Sequence, residues 1–496
     1  MLYRVVQQHL ATFLARAEGG GALPRFVRRE LASFLECGVP AHGFIRVRCP
    51  QCRLDGLVAF SCKGRGFCPT CGGRRMADTA AHLVDRVLPE VPVRQRVLSL
   101  PHPLRFLLAY DRCLCTKVLS TFSRALLGWY RRRGRRCLGV AAGRSGTVTT
   151  IQRFDSALRL NLHFHVVALD GVYTETTEAS GAGMRFHALA PPENEEVAAL
   201  LSQVSRRILR ALVQSGRLRR TEEGYEIVGR EECGCETGAS ALESCQAASV
   251  RGRIALGPRA GSKVQRLGDR VELGWCDDGD QRSRCAKQDG FTLHGDVQVG
   301  AHDRCRLERL CRYILRPAIA TERLRQRDDG RIEYELRKPW RDGTSGFVFE
   351  PEEFLERLAA LVPAPRGHLV RYHGVLAPGA RWRALVVRDR TADDTGRLEA
   401  ASKPCPGPPN PDASIAELRE RRLTWGELMH RVFAVDVLEC PRCGGRRELI
   451  AVITDPAVIV AFLDSLGVPS RAPPMAPVRY EDVPEADPDP SWAELG

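Results

Sequence analysis

Two histidines, His163 and His165, stand one residue apart in the stretch 161–173, Asn-Leu-His-Phe-His-Val-Val-Ala-Leu-Asp-Gly-Val-Tyr. In an extended strand the side chains alternate between faces. Both imidazoles then project to one side, while Leu162, Phe164 and Val166 project to the other and anchor the strand in a core. Two neighbouring imidazoles on a rigid element can offer two nitrogen ligands to one divalent ion. A half-buried strand whose polar face carries two histidines produces the same pattern, so the metal reading needs support from other residues.

The cysteines give a second metal signal. Cys49-Pro-Gln-Cys52 is followed, fifteen residues later, by Cys68-Pro-Thr-Cys71. Two Cys-x-x-Cys turns separated by a hairpin's length of chain suit one tetrahedral zinc ion. Four thiolates leave no position for water, so this Zn2+ is expected to fold a small segment and not to catalyse. Cys37 and Cys62 read as bystanders, as do Cys233 and Cys235, whose spacing is poor for a half-site. Cys440-Pro-Arg-Cys443-Gly-Gly is half of a ribbon with no second pair in range, which leaves Cys405 and His430 as candidate partners.

The third chemical candidate is Tyr313, in Asp-Arg-Cys-Arg-Leu-Glu-Arg-Leu-Cys-Arg-Tyr-Ile-Leu-Arg-Pro over 303–317. Leu307, Leu310, Cys311, Ile314 and Leu315 follow the helical period and define one apolar stripe, and Pro317 ends the helix. Tyr313 falls off that stripe, among Arg306, Arg309 and Arg316. A phosphate would approach such a face, and cationic neighbours ease attack by the tyrosine oxygen. The plain alternative is a surface tyrosine packed among arginine stems.

Helical spacing is expected over 1–17, 79–88, 104–130, 195–218 and 351–361, and strands over 147–154, 161–173 and 291–299. The last of these puts His294 and Asp296 on one face. A polar turn is expected at 174–183, and a Gly-, Ser- and Cys-rich insertion without period at about 231–270. The 404–411 segment is a Pro-rich linker, followed by a helix over 415–431 and an acidic tail. Trp129-Tyr-Arg-Arg-Arg-Gly-Arg-Arg136 has Arg131, Arg132 and Arg133 beside two aromatics, which suits a patch gripping DNA phosphates and stacking on bases, or a charged helix end.

With 496 residues, several domains are expected, and Lys plus Arg exceed Asp plus Glu by 74 to 60, a net charge of +14 that favours a polyanionic partner. The 19 cysteines without an export signal point to reduced thiols and metal ligands, and hence to a cytoplasmic location. No segment is apolar enough to span a membrane.

In these motifs the chain resembles the rolling-circle insertion-sequence transposases of the HUH superfamily, most closely the insertion-sequence common-region (ISCR) group. The residues that carry the likeness are the Cys49–Cys71 ribbon, the His163 stretch, Leu-Cys-Arg-Tyr-Ile-Leu-Arg-Pro, Arg-Tyr-His-Gly-Val-Leu-Ala-Pro at 371–378 and the late Cys-Pro-Arg-Cys-Gly-Gly, in the same order. The resemblance implies that His163 and His165 hold a Mg2+ or Mn2+ ion and that Tyr313 is the nucleophile. Related sequences place Gln or His where Gln152 stands, which makes it the expected third ligand, ahead of Asp155 and His294. Two-tyrosine relatives carry a second tyrosine at the position of Pro317, so a single-tyrosine scheme is implied here.

The expected fold is α+β: an HUH-endonuclease-like antiparallel sheet with the His strand at its centre and the Tyr313 helix packed on it, plus an N-terminal zinc ribbon and a small C-terminal domain. The divisions are 1–95, 96–400 and 401–496. The implied activity is nicking and rejoining of single-stranded or hairpin DNA through a 5′-phosphotyrosyl link, in the bacterial cytoplasm with the nucleoid. No P-loop is present, so a host helicase would unwind the DNA. The alternatives are a non-enzymatic zinc-ribbon DNA-binding regulator, and a zinc hydrolase that uses a water nucleophile.

Overall fold

The computed structural model describes residues 1–178, 181–228, 240–268, 284–387, 431, 436 and 438–479. Cys233, Cys235, Cys405, His430, the 404–411 linker, the 415–431 helix but for Arg431, and the acidic tail beyond 479 lie outside the described residues. The chain opens with α1 (Leu2–Glu18), which buries Leu2, Val5, Val6, Leu10 and Phe13, as its apolar spacing requires. After α2 (Arg25–Glu36), β1 (Phe44–Arg48) and β2 (Asp55–Ala59) pair as a hairpin whose turn carries Cys49 and Cys52. Helix α3 (Pro69–Arg86) starts at Cys68, with Pro69 in the first turn, where a missing N–H is not needed.

The main domain begins with β3 (Val93–Ser99), α4 (His102–Tyr110) and α5 (Arg112–Leu138). The single helix expected over 104–130 is two, because Asp111 interrupts it and caps α5 by accepting from the Leu114 amide at 2.9 Å. Strands β4 (Gly146–Phe154) and β5 (Leu160–Leu169) follow. The 161–173 stretch is likewise divided: β5 ends at Leu169, and Tyr173 belongs to β6 (Gly171–Glu178), which pairs with β7 (Gly181–Ala188) where a polar turn was expected. Asp170 is fully buried against Arg94, 2.8 Å apart. A side chain on Gly171 would meet the His187 carbonyl at 2.2 Å, so glycine is required at this corner.

Next come α6 (Asn194–Gln214), the hairpin β8 (Leu218–Thr221) and β9 (Gly224–Ile227), α7 (Ala241–Arg251) and β10 (Gln265–Leu267), so the expected aperiodic insertion contains ordered elements. Then β11 (Cys285–Gln288), β12 (Phe291–His294), β13 (Gln298–Val299) and α8 (Arg304–Leu315) lead to β14 (Leu324–Gln326), β15 (Ile332–Glu335), β16 (Gly346–Phe349), the wholly buried α9 (Pro351–Leu361), β17 (Val370–Gly374) and α10 (Arg383–Val386).

The central sheet has the order β11-β12-β3-β5-β4-β17, all antiparallel, with β13 also on β3. The His strand is thus interior, with β3 and β4 on its two edges. Its alternation separates two cores. Leu162, Phe164, Val166 and Ala168 join α1, α5, α6 and α9 on one face, while Val167 and Leu169 join α3 and α8 on the other. His163 and His165 lie on the second face. The architecture is α+β, as expected.

The C-terminal segment departs from expectation. β18 (Glu448–Ile453) and α11 (Pro456–Ser465) do not make a separate module; β18 pairs with β1 in a sheet of order β18-β1-β2, and Ile459 and Leu463 bury Phe44. Local composition marks a linker but not where the chain goes after it. No described helix is long and apolar enough to cross a membrane.

Candidate active site and cysteine clusters

His163 and His165 converge. Their Nε2 atoms are 3.0 Å apart and their rings meet edge to face, with centroids 4.8 Å apart. Each ring is held from behind: His163 Nδ1 lies 2.8 Å from the Asn161 carbonyl, and His165 Nδ1 lies 3.0 Å from the Gln95 amide nitrogen. A carbonyl only accepts, so His163 carries its proton on Nδ1 and leaves Nε2 with a lone pair. Burial pushes the His163 pKa down and, with the nearby His163 and Arg316, pushes that of His165 down to about 3. Both imidazoles are therefore neutral at ordinary pH, the form that binds metal.

Tyr313 reaches the same place from α8. Leu307, Leu310, Cys311 and Ile314 bury the apolar stripe of that helix on the sheet, and Tyr313 stays 47% exposed on the rim. Its ring stands perpendicular to His165 with centroids 6.1 Å apart, and the Arg316 guanidinium lies 4.7 Å from the tyrosine ring centre. Arg306 and Arg309 are exposed on the same helix. Arg304 fastens α8 in place by donating to the Val84 carbonyl in the last turn of α3 and to the Leu88 and Pro89 carbonyls just beyond it.

Of the three candidates for a further ligand, the structure brings only Gln152 to the pair. Gln152 is the cross-strand partner of His163 on β4 and is buried, with its amide nitrogen 3.4 Å from the Ile314 carbonyl, so the side-chain oxygen is the atom it offers a cation. Asp155 is occupied: it accepts from the backbone amides of Ala157 and Arg159 and pairs with the Arg159 guanidinium at 2.8 Å. His294 lies two strands from His165, with Nε2 3.7 Å from Cys285 Sγ, and Asp296 is past the end of β12, paired with Arg284. Gln95 is the contact that sequence reasoning missed. Its place two residues from Val97, the cross-strand partner of His165, is a matter of register that spacing does not reveal.

The eight cysteines of the N- and C-terminal knuckles form two clusters, and this corrects the single site expected from Cys49, Cys52, Cys68 and Cys71. Cys68 and Cys71 meet Cys37 and Cys62; Cys49 and Cys52 meet Cys440 and Cys443. In the first cluster, Sγ–Sγ separations of 3.7, 3.8 and 3.5 Å join Cys37 to Cys68, Cys37 to Cys71 and Cys62 to Cys71. A tetrahedral zinc with bonds of about 2.3 Å places its sulfurs about 3.8 Å apart, so the spacing fits. Cys37 and Cys62, taken for bystanders, complete this set because the end of α2 is folded against the start of α3, a contact that local spacing cannot disclose. Gly72, next to Cys71, packs closely on Pro317 just past the end of α8: a side chain there would meet Pro317 at 2.8 Å.

Residues 5–100 match the transposase zinc-binding domain family of the IS91 type, and residues 146–383 match the Y2_Tnp transposase family. The chain belongs to the IS91-type transposases. Neither a search of curated proteins nor one of solved structures found a match. The His pair, Gln152 and Tyr313 all lie within the span of the second family, and the first cysteine cluster lies within that of the first.

This transposase is therefore an enzyme that binds DNA and carries structural zinc. Its basic surfaces are distributed differently from expectation. Trp129 and Tyr130 are buried, so neither is a stacking platform, and Arg133 is buried on Glu196 at 3.0 Å and on the Ala190 carbonyl. The patch sits on α5, on the sheet face opposite His163. Arg131 and Arg132 remain exposed, with Arg132 bonded to Gln203. On the active-site face, by contrast, a cleft of about 120 Å³ between α3 and β4 is lined by Arg65, Arg75, Gln152, Arg153, Arg316 and Pro317.

Proposed function

We propose that this transposase nicks and rejoins single-stranded DNA through a 5′-phosphotyrosyl intermediate, with Tyr313 as nucleophile and a Mg2+ or Mn2+ ion held by His163, His165 and Gln152. The observation that carries the reading is the meeting of an exposed tyrosine and two converged, neutral imidazoles from separate elements, 6.1 Å between rings. The donor set fits such an ion. The two Nε2 atoms, 3.0 Å apart, and the side-chain oxygen of Gln152, cross-strand from His163, are nitrogen and oxygen donors of the kind such an ion takes. The ion would supply charge stabilisation at the scissile phosphate.

The chain's own groups do the rest. The strand backbone would lie in the cleft lined by Arg65, Arg75 and Arg316, whose guanidinium groups suit phosphate oxygens. The Tyr313 oxygen attacks phosphorus in line and its proton leaves to solvent. The P–O3′ bond breaks, the 3′ oxygen takes up a proton, and phosphodiester energy is kept in the tyrosyl link for rejoining without ATP. Arg316, against the tyrosine ring, places a positive charge beside the centre where negative charge grows. Gln95 turns its amide oxygen to His165 Nδ1–H when Nε2 serves as ligand, a rotation that an amide allows at little cost. Pro317 stands where two-tyrosine relatives carry a second nucleophile, so each subunit offers one tyrosine. Unwinding would come from a host helicase.

The test is incubation of the protein with a labelled single-stranded oligonucleotide and Mn2+, followed by denaturing electrophoresis. Wild type should give a covalent adduct, and Tyr313→Phe should give none while binding the oligonucleotide within about threefold of wild type. In the same gel His163→Ala should lose cleavage by at least about a hundredfold with little change in binding. An adduct that persists in Tyr313→Phe sinks the assignment; cleavage without any adduct would favour a water nucleophile, and binding without cleavage a regulator.

A further inference from the structure

We propose that this protein holds a second structural zinc, on Cys49, Cys52, Cys440 and Cys443, and that this ion clasps the C-terminal segment onto the N-terminal domain. The two pairs are 388 residues apart in the chain at Cys52 and Cys440, whose Sγ atoms are 3.5 Å apart; Cys49 and Cys443 are also 3.5 Å apart. All four sulfurs lie within 4.8 Å of one another. Cys443 lies far outside the span matched by the zinc-binding family, 5–100, so this ligand set is not the one that the family match locates.

The second observation is that the two turns are copies of each other. In Cys49-Pro-Gln-Cys52-Arg53 the Arg53 amide donates to the Cys49 carbonyl at 2.9 Å, and the Cys49 amide donates to the Leu54 carbonyl at 3.0 Å. In Cys440-Pro-Arg-Cys443-Gly444 the Gly444 amide donates to the Cys440 carbonyl at 2.9 Å, and the Cys440 amide donates to the Gly445 carbonyl at 2.8 Å. The residue after the second cysteine is left-handed in both, Arg53 at φ 56° and Gly444 at φ 69°. A non-glycine residue adopts that conformation at a cost, which the turn must offset. Each such turn directs two sulfurs to one point, and two of them facing each other close a tetrahedron.

The elements around the turns follow from the same arrangement. β1 runs into the first turn and β18 runs out of the second, and the strands pair from Phe44 opposite Ile453 to Arg48 opposite Glu448. Among the described residues the buried apolar cluster beneath them is small, Phe44, Ile459 and Leu463, with Leu57, Ile453, Phe462 and Val468 half-buried against it. So small a core does not hold a three-stranded sheet by itself, which is the setting in which zinc supplies the folding energy. Further along, the segment lies on α1: the Ala476 amide donates to the Gln7 carbonyl, the Gln7 side chain to the Pro474 carbonyl, and the Arg479 amide to Thr12 Oγ1. The clasp and these bonds therefore hold the described part of the C-terminal segment, up to Arg479, on β1 and α1.

The experiment is metal analysis and thiol alkylation on the full chain, purified under reducing conditions. Wild type should contain two zinc ions per chain and Cys440→Ser/Cys443→Ser one, with hydrogen exchange raised over 448–453 and unchanged over 69–86. Because the variant could misfold, the wild type carries an independent arm: in the zinc-loaded protein Cys440 and Cys443 should resist alkylation at least tenfold better than the exposed Cys113 and Cys137, and should lose that protection on chelation. One zinc per chain in wild type, two in the double variant, or alkylation of Cys440 and Cys443 at the rate of Cys113 would overturn the proposal.

Discussion

At the scale of the residue, the geometry of His165 depends on what stands behind it. Its Nδ1 meets the Gln95 amide at 3.0 Å, while Val97 and Thr150 flank it across the two neighbouring strands. A leucine at position 95 would keep the volume but release the imidazole to rotate. Removing an outer partner of a metal-binding histidine typically costs about 10- to 100-fold in metal affinity. Gln95→Leu should therefore raise the Mn2+ concentration needed for half-maximal adduct formation by that factor and leave metal-free oligonucleotide binding unchanged. An unaltered metal titration would mean that Gln95 does not orient His165. The sequence identified both histidines and Tyr313 because each of those signals is local; Gln95 belongs to another strand and carries no motif.

At the scale of the element, α3 joins the first cysteine cluster to the nucleophile. Cys68 and Cys71 fix its first turn, Arg304 of α8 donates to the Val84 carbonyl in its last turn, and Gly72 touches Pro317, four residues beyond Tyr313. Two adjacent glycines allow the contact to be tested with its own control. Alanine in a helix gains about 1 kcal/mol over glycine, whereas a methyl forced into a packed contact costs about 1–3 kcal/mol. At Gly72 the added carbon would lie 2.8 Å from Pro317, so overpacking wins and Gly72→Ala should lose up to about 2 kcal/mol. Gly73 has nothing within 4 Å, so Gly73→Ala should gain up to about 1 kcal/mol. Denaturant melts of the two variants measure this, and a stabilised Gly72→Ala would show that α3 and Pro317 are not in firm contact. The helical period at 79–88 gave the existence of α3 but not its start, which is set by zinc ligands ten residues earlier.

At the scale of the whole molecule, α9 is a helix buried along its full length that carries four charged side chains, Glu352, Glu353, Glu356 and Arg357. Burial pushes the Glu356 carboxyl up to about 7, against the opposing pull of the Ala255 and Leu256 amides that donate to it. A carboxyl with a raised folded-state pKa binds its proton more tightly folded than unfolded, so stability falls as pH rises from the unfolded value, about 4.5, through about 7. At about 1.4 kcal/mol per unit this reaches a few kcal/mol at most. Glu356→Gln should flatten the decline in unfolding free energy between pH 5 and pH 8, as measured by urea titration at each pH. A decline as steep as that of wild type would place the cause elsewhere. No pattern in the 351–361 helix announces this burial, since three glutamates and an arginine read as a solvated face.

The sequence by itself determined which residues share a face of one element: the two histidines on one side of β5, Tyr313 off the apolar stripe of α8, and paired sulfurs at each Cys-Pro-x-Cys turn. Those follow from the periods of strand and helix and from the reach of a tight turn, all of which act over a few residues. Which elements meet was decided by the tertiary structure. It set Cys37 and Cys62 with Cys68 and Cys71, carried Cys440 and Cys443 to Cys49 and Cys52, turned Trp129, Tyr130 and Arg133 into the core, and put Gln152 and Gln95 on either side of the histidine pair. The physical reason is that contacts between distant segments are chosen by the sum of buried surface and satisfied polar groups over the whole chain, a quantity that no local spacing contains.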